Sequence, residues 1–263
     1  KLKHQILNIY IYIIVSLMDS VLILNTNINV TSVEEVVNLL QKKTCLTVAV
    51  CNTNTLVRSY KDASLQEKIN SFDIRVPDGF PVAKASNLLY KNKQKRVDGY
   101  NIFHKTIEKG LESNLSHYFF GSDEKTVVKL KTRLLNEYPN INILGHSCPP
   151  LMGFKDLVLE KYVSDLKEKN ADIVWVSLGF PKQEEFIDLL LKNNTINSNF
   201  AGIGAVFEWS AGTKIKAPEF FANLGLEWIF RLVQEPRRLF KRYFVDNFLF
   251  IIYIIKQIRK IKK

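Results

Sequence analysis

Cysteine is scarce in this chain: Cys45, Cys51 and Cys148 among 263 residues, with no CxxC pair and one thiol necessarily left over. A chain of this length can bury a core without crosslinks, so a secreted disulfide scaffold is excluded and reduced thiols fit better. Long apolar runs are missing too. The longest uncharged stretch near the start is residues 5–18, fourteen residues, against about 20 needed to span a bilayer. No small-residue cleavage site follows it, which argues against a signal peptide. Two readings of this stretch stay open: extra sequence upstream of a start at Met18, or a short helix that packs on the body or lies on lipid.

The usual catalytic signatures are absent as well. The four histidines (His4, His104, His117, His146) show no HExxH or paired spacing, and no Cys/His cluster suggests zinc. There is no GxSxG elbow, no GxxxxGK[ST] loop, and no GxGxxG after the first strand-like segment, where the turn reads Asn25-Thr26-Asn27. Asp-x-Asp, the short signature for a divalent ion on a nucleoside diphosphate, does not occur. A phosphate-bearing ligand would therefore have to be met by Arg, Lys and backbone N–H groups.

What is present is an ordinary globular composition, 46% hydrophobic and 24% charged, with a net charge of +11. The charge is not spread evenly. Residues 231–263 hold ten basic residues against Glu235 and Asp246, which is +8 of the total. A nearly neutral body disfavours a nucleic-acid stripe along the chain.

Apolar β-branched runs alternate with helical patterns of ten to fifteen residues. Strands are expected at 21–24, 46–51, 74–76, 117–120, 141–145, 173–177 and 200–203. Helices are expected after Ser32 and Ser64, each with Glu three residues on in capping-box spacing, and at 100–109, 124–136 and 155–169. That alternation predicts an α/β fold: a Rossmann-like parallel sheet with helices on both faces, plus a C-terminal basic and apolar helical appendage. The expected division is an apolar extension at 1–20, a catalytic core at 21–212 and the appendage at 213–263.

Ligands of open α/β sheets sit outside the carboxyl ends of the strands. The unusual turns there are Cys51-Asn52-Thr53-Asn54, Pro77-Asp78-Gly79, Gly121-Ser122, the run from Gly179 to Glu184, and Gly204 to Glu208. Glycine lets the backbone approach a ligand closely. Asp78, after a strand and before a helix, reads as a general base or as the cap of the helix near Pro81. Gln183 can hydrogen-bond sugar hydroxyls as donor and acceptor at once, or face solvent in a first helical turn behind Pro181. Arg96 and Lys182 could meet a diphosphate, although 91–96 taken alone is a solvated basic loop. Phe207 and Glu208 could line a nucleotide, with a core position the alternative for Phe207.

Asn52, Pro77-Asp78-Gly79, Arg96 with Gly99, Gly179-Phe-Pro-Lys-Gln-Glu184, Gly204, Ala211-Gly212, Ala217-Pro218 and Glu227-Trp228-x-x-Arg231-x-x-x-Glu235-Pro-Arg-Arg238 occur in this order. The series resembles the bacterial WecG/TagA/CpsF glycosyltransferase family over about residues 21–243. The resemblance implies an inverting, metal-independent transfer with no cofactor. An N-acetylmannosamine or related hexose would pass from a UDP-sugar to a polyprenyl-pyrophosphate-linked GlcNAc-type acceptor. Bacterial cell-wall or surface polysaccharide, teichoic acid included, is the expected product class.

The resemblance also implies Asp78 as base with Gln183 beside it, and substrate contacts from Asn52, Thr53, Arg96, Gly121, Gly179, Lys182, Glu184, Gly204, Phe207, Glu208, Arg231, Arg237 and Arg238. Two positions depart from the family pattern. Val50 stands where a Thr is usual, so Thr53 or Thr55 would have to substitute, and Asn101 stands where Asp is usual. Both bear on the donor sugar more than on the reaction.

Stepping 100° per residue from Pro236 puts Arg238, Lys241, Arg242, Lys256, Arg259, Lys260 and Lys263 in one sector, with 248–255 apolar all round. The expectation is a peripheral helix at the inner face of the plasma membrane, cations on anionic headgroups, in a cytoplasmic protein without nucleic-acid partners. A core or dimer helix is the alternative, and homo-oligomers stay open. Rival functions are another nucleotide-binding α/β enzyme and a non-catalytic basic membrane adaptor.

Overall fold

The computed structural model describes residues 13–150, 156–192, 196–218, 220–221 and 225–261; the side chains of 156–159, 191, 238 and 241–243 lie outside that description. Residues 1–12 of the expected N-terminal extension therefore also lie outside it.

The chain opens with β1 (Ser20–Ile23) and β2 (Thr26–Asn29), followed by α1 (Val33–Leu40), β3 (Thr47–Cys51), α2 (Thr53–Lys61) and α3 (Ala63–Asn70). Then come β4 (Ile74–Pro77), α4 (Phe80–Tyr90), α5 (Gly99–Gly110), β5 (Ser116–Gly121), α6 (Glu124–Glu137), β6 (Asn142–Ser147) and α7 (Asp156–Lys169). β7 (Ile173–Ser177), α8 (Lys182–Lys192), β8 (Asn199–Gly202) and α9 (Val206–Ser210) complete the alternation. The tail holds α10 (Glu227–Gln234), α11 (Pro236–Lys241), a π-helical turn (Arg242–Asp246) and α12 (Asn247–Ile261).

The six strands β3 to β8 form one parallel sheet flanked by helices, in the order β4-β3-β8-β7-β5-β6. Its inner strands are apolar runs buried on both faces, as parallel sheets require. The expected fold class holds.

The strand at 21–24 does not join that sheet. β1 pairs antiparallel with β2 through the two-residue turn Leu24-Asn25, both at positive φ, which is the geometry whose twist suits a tight hairpin. The run Asn25-Thr26-Asn27 reads as a turn in the sequence, yet Thr26 and Asn29 are buried strand residues. Three local expectations also change. Asp62, not Ser64, caps α3, accepting from Leu65 N at 3.1 Å. Thr53 and Asn54, expected as part of a turn, begin α2 because Asn52 caps it. The tail helix is interrupted by the π-helical turn, so a uniform 100° step does not carry one basic sector from Arg238 to Lys260.

Two compact units share the chain. One comprises Val33–Ala49 and Gly99–Ile215, with the described part of Lys1–Leu17. Its core is an aromatic cluster in which Phe103 touches Phe119, Trp175 and Phe207, and Phe120 stacks on Phe186 at 4.1 Å. Trp175 Nε1 donates to His117 Nδ1 at 3.2 Å, and burial holds the imidazole down to about 4, hence neutral. Gly121 is required at the end of β5. Its φ is +107° and a Cβ there would stand 2.4 Å from the Ser177 carbonyl oxygen.

Asn199 secures the loop before β3. Its Oδ1 accepts from Thr44 N and Leu46 N at 3.2 and 2.9 Å, and its Nδ2 donates to the carbonyls of Leu40 and Lys42 at 3.3 and 2.7 Å.

The other unit comprises Met18–Ser32, Val50–Asp98 and Lys216–Lys263. Asn29 Oδ1 accepts from Arg75 N at 2.8 Å, tying the hairpin to β4. Gln94 clamps Thr31 from both sides, N–H and C=O, at 2.9 and 2.7 Å. Helix α12 docks through buried Phe250 and Ile254 and the Tyr60–Tyr253 ring pair, with centroids 5.0 Å apart. Gln257 reaches the hairpin, accepting from Leu24 N and donating to Leu22 O.

Replacing Asn199 by Ala orphans two buried N–H groups and takes the amide donor from two carbonyls at once. It is expected to cost about 3 kcal/mol or more, read as a lower urea midpoint with unchanged slope.

Candidate active site

Within the second unit, the carboxyl ends of β3 and β4 open into one cleft. Its lining includes Asn52, Thr53, Asn54, Asp78, Phe80, Arg96, Glu227, Trp228, Arg231 and Asn247. Asn52 is the cap of α2: its Oδ1 accepts from Asn54 N and Thr55 N at 3.1 and 3.2 Å. With the oxygen so committed, the amide nitrogen is left as a donor on the cleft wall. Thr53 Oγ1 donates to Asn247 Oδ1 at 2.6 Å, and Asn54 Nδ2 donates to Asp246, so the tail is pinned to the first turn of α2. The Thr53 hydroxyl is thereby committed, and Thr55 is buried. Neither offers the free hydroxyl expected as a substitute beside Val50.

Asp78 follows β4 directly, its N–H donating to Cys51 O at 2.9 Å. The cap position of α4 belongs to Gly79 at φ +89°, with Pro81 in the first helical turn. Asp78 is thus not the helix cap, and its carboxyl makes no hydrogen bond among the described residues. Burial together with the Glu227 and Asp98 carboxylates raises it to about 7, against the opposing pull of Arg96 and Arg231. A carboxyl at that value is suited to general-base work at neutral pH.

Arg96 joins the acidic groups. Its Nη1 donates to Glu227 Oε2 at 2.5 Å and its Nη2 lies 3.3 Å from Asp98 Oδ2. Arg231 also lines this cleft, Arg237 is exposed, and the Arg238 side chain lies outside those described. Glu227, Trp228 and Asn247 were not among the residues expected here, although the first two stand in the tail motif. Asp98 was missed too; an acidic residue two positions after Arg96 was its signal.

The remaining expected residues belong to the first unit. Gly179, at φ +73°, precedes Lys182, the first residue of α8. Gln183 is neither open nor solvent-facing: it is 3% exposed, its Oε1 accepts from Gly204 N at 3.1 Å, and its Nε2 donates to Glu184 Oε1 at 2.9 Å. Ser177 Oγ donates to Gly204 O at 2.5 Å. Gln183, Glu184 and Gly204 thus brace the turn after β8. Phe207 is fully buried in the aromatic cluster, the core position weighed for it. Glu208 is half-buried, its Oε1 3.6 Å from Lys214 Nζ and its Oε2 buried. Gly121 is held tight against the Ser177 carbonyl.

Among the described residues, one group of metal-ligating side chains comes close together, Glu124, His146 and Cys148, in the first unit.

Comparison with known proteins places this geometry in context. The model of the glycosyl transferase WecG/TagA/CpsF family matches residues 21–263. An N-acetylglucosaminyldiphosphoundecaprenol N-acetyl-beta-D-mannosaminyltransferase of Staphylococcus aureus (strain MW2) is 31% identical over 197 residues, 75% of this chain and 74% of the relative. The protein of the same name from Bacillus spizizenii (strain ATCC 23059 / NRRL B-14472 / W23) is 29% identical over 177 residues, 65% of this chain and 64% of the relative.

The raised Asp78 carboxyl has a stability consequence. The folded state keeps its proton up to about pH 7, whereas the unfolded chain releases it near the ordinary value of 3.8. The native state binds more protons across that window, so stability falls as pH rises through it. Asp78→Asn removes the penalty. It is expected to raise Tm at pH 8 and leave it nearly unchanged at pH 4, at roughly 2–4 °C per kcal/mol. Equal shifts at both pH values would show that the carboxyl is not perturbed.

Proposed function

Because the chain belongs to the WecG/TagA/CpsF family of glycosyltransferases, we propose that it moves an N-acetylmannosamine-type sugar from a UDP-sugar to a polyprenyl-diphosphate-linked GlcNAc acceptor, with inversion and without a metal. The acceptor and the sugar are those in the names of its relatives. The observation that carries the reading is the single carboxyl of Asp78, poised near neutrality in a cleft that also holds Arg96 and Arg231.

In the proposed step the Asp78 carboxylate takes the proton of the acceptor hydroxyl as that oxygen attacks the anomeric carbon. The bond from that carbon to the UDP oxygen breaks, and UDP leaves with the electron pair. UDP needs charge stabilisation and no proton, so one carboxyl suffices where glycosidases need two. Arg231 supplies cationic stabilisation to the diphosphate, Arg96 adds what its pairs with Glu227 and Asp98 leave over, and the Asn52 amide supplies a neutral donor.

The tail supports a place for the reaction. No helix among the described residues is long and apolar enough to cross a membrane. Phe248, Ile251 and Ile255 recur at helical spacing and are all exposed, while Phe250 and Ile254 of the same helix are buried. The apolar belt read from the sequence therefore has one face in protein and one bare. Basic Lys256, Arg259 and Lys260 follow at its end. We read the bare face as lying in the headgroup layer of an anionic leaflet, where a lipid-linked acceptor is found.

Two experiments test the reading. Incubation with a panel of UDP-sugars and a short-chain lipid-diphosphate-GlcNAc, followed by mass spectrometry of the lipid, is expected to show addition of one sugar that survives EDTA. Asp78→Asn is expected to lower turnover by about 10²–10⁴ with UDP binding retained; loss of turnover in EDTA would overturn the metal-free step. Exchanging Phe248, Ile251 and Ile255 together for Ser is expected to release the protein from anionic vesicles without lowering Tm. Unchanged co-sedimentation with a fall in oligomer mass would assign that face to a second copy instead.

A further inference from the structure

We propose that Glu227 is a positioning residue: by pairing with Arg96 it sets the charge around Asp78, so that the protonation of the base depends on α10 being seated. The proposal rests on the reading of Asp78 as the base.

The geometry is specific. Glu227 is the first residue of α10, and its carboxylate lies 2.5 Å from Arg96 Nη1. Asp98 takes the other terminal nitrogen of the same guanidinium at 3.3 Å. The charged groups facing Asp78 are therefore Arg96 and Asp98 from the segment after α4, and Glu227 and Arg231 from α10. The ends of α2, α4 and α12 contribute only Asn52, Thr53, Asn54, Phe80, Pro81 and Asn247 to the cleft, none of them charged. Among the described residues two cations thus face two carboxylates, and that set is neutral only while Asp78 keeps its proton. Without Glu227 the same cleft balances with Asp78 ionised.

The entry of α10 is fixed as well. Gly225 stands at φ +74°, and a Cβ there would lie 3.0 Å from Phe80 Cδ1, two residues after Asp78. The chain turns into α10 against the first residue of α4, which places Glu227 beside Arg96.

Charge and shape separate cleanly in this pair. Glu227→Gln keeps an oxygen acceptor for Arg96 and removes the charge; Glu227→Asp keeps the charge. Two readouts are needed: the acidic limb of kcat/KM against pH, and the ¹³C carboxyl titration of Asp78, assigned by its disappearance in Asp78→Asn. In Glu227→Gln both are expected to move to lower pH by about one unit, the size of one nearby charge at an effective dielectric of about 20. Glu227→Asp is expected to titrate as the wild type does.

An Asp78 titration unmoved in Glu227→Gln, or identical behaviour of the Gln and Asp variants, would overturn the proposal. Should Glu227→Gln fail to fold, Asp98→Asn tests the same balance from the other side of Arg96, with a shift in the same direction expected and no shift overturning it. Failure of the wild type to transfer any sugar would sink the transferase reading alone, since the carboxyl titration is read without turnover.

Discussion

Arg96 has one charge and a fork of N–H donors, and both are divided between Glu227 and Asp98. A guanidinium beside Asp78 with no other partner would favour its ionised form and pull the carboxyl below its usual range. Here its charge is already met on two sides, so burial and like-charge repulsion prevail and the carboxyl rises to about 7. The rest of the cleft follows from that balance. The chain has to bring 96–98 and 227–231 to the end of β4, and it does so with a tight turn at Gly79, the Val97 N–H on the Pro77 carbonyl at 3.0 Å, and the turn at Gly225. A buried carboxyl near neutrality stores instability at the pH where it works, a common cost of a tuned base.

The parallel sheet was legible because its strands carry the signal in single residues. Ile173–Ser177 and Ser116–Gly121 are apolar on both faces and bounded by helical periodicity, a pattern with few other solutions. The hairpin was not legible. β2 reads Thr-Asn-Ile-Asn, and its burial of Thr26 and Asn29 is settled by Arg75 and the neighbouring strand rather than by side-chain polarity. Helix α2 was hidden for a related reason. Asn52 looks like a turn residue, and the same side chain that favours turns starts a helix when the next N–H groups point at it.

The candidate carboxyl was legible and its surroundings were not. A carboxylate between a strand and a helix is visible as a candidate, but whether it caps the helix depends on one residue of offset, and the offset here gives the cap to Gly79. Gln183 shows the opposite case. A polar residue in a conserved-looking string invites a substrate role, yet its amide is held by Gly204 N and Glu184 inside the protein. Its place against Gly202, where a Cβ would stand 3.0 Å from the amide nitrogen, is a matter of packing that no spacing reveals. Glu227 was hidden because ion pairing across 131 residues of sequence leaves no local pattern.

The tail joins these strands of argument. A helix apolar all round must be covered everywhere or be shared between two environments. In α12 the inner face is spent on Phe250, Ile254 and the Gln257 bonds to the hairpin, and the outer face is left bare. The residues that open this helix are the ones that hold the first turn of α2: Asn247 on Thr53 and Asp246 on Asn54, next to Asn52 on the cleft wall. Whatever covers the outer face therefore bears on a rigid element whose other end closes the cleft. In this unit the inner side of the fifteen-residue helix is tied to the hairpin and its first residue to the cleft, so a change that loosens its inner face would be felt at the site before it was felt at the surface.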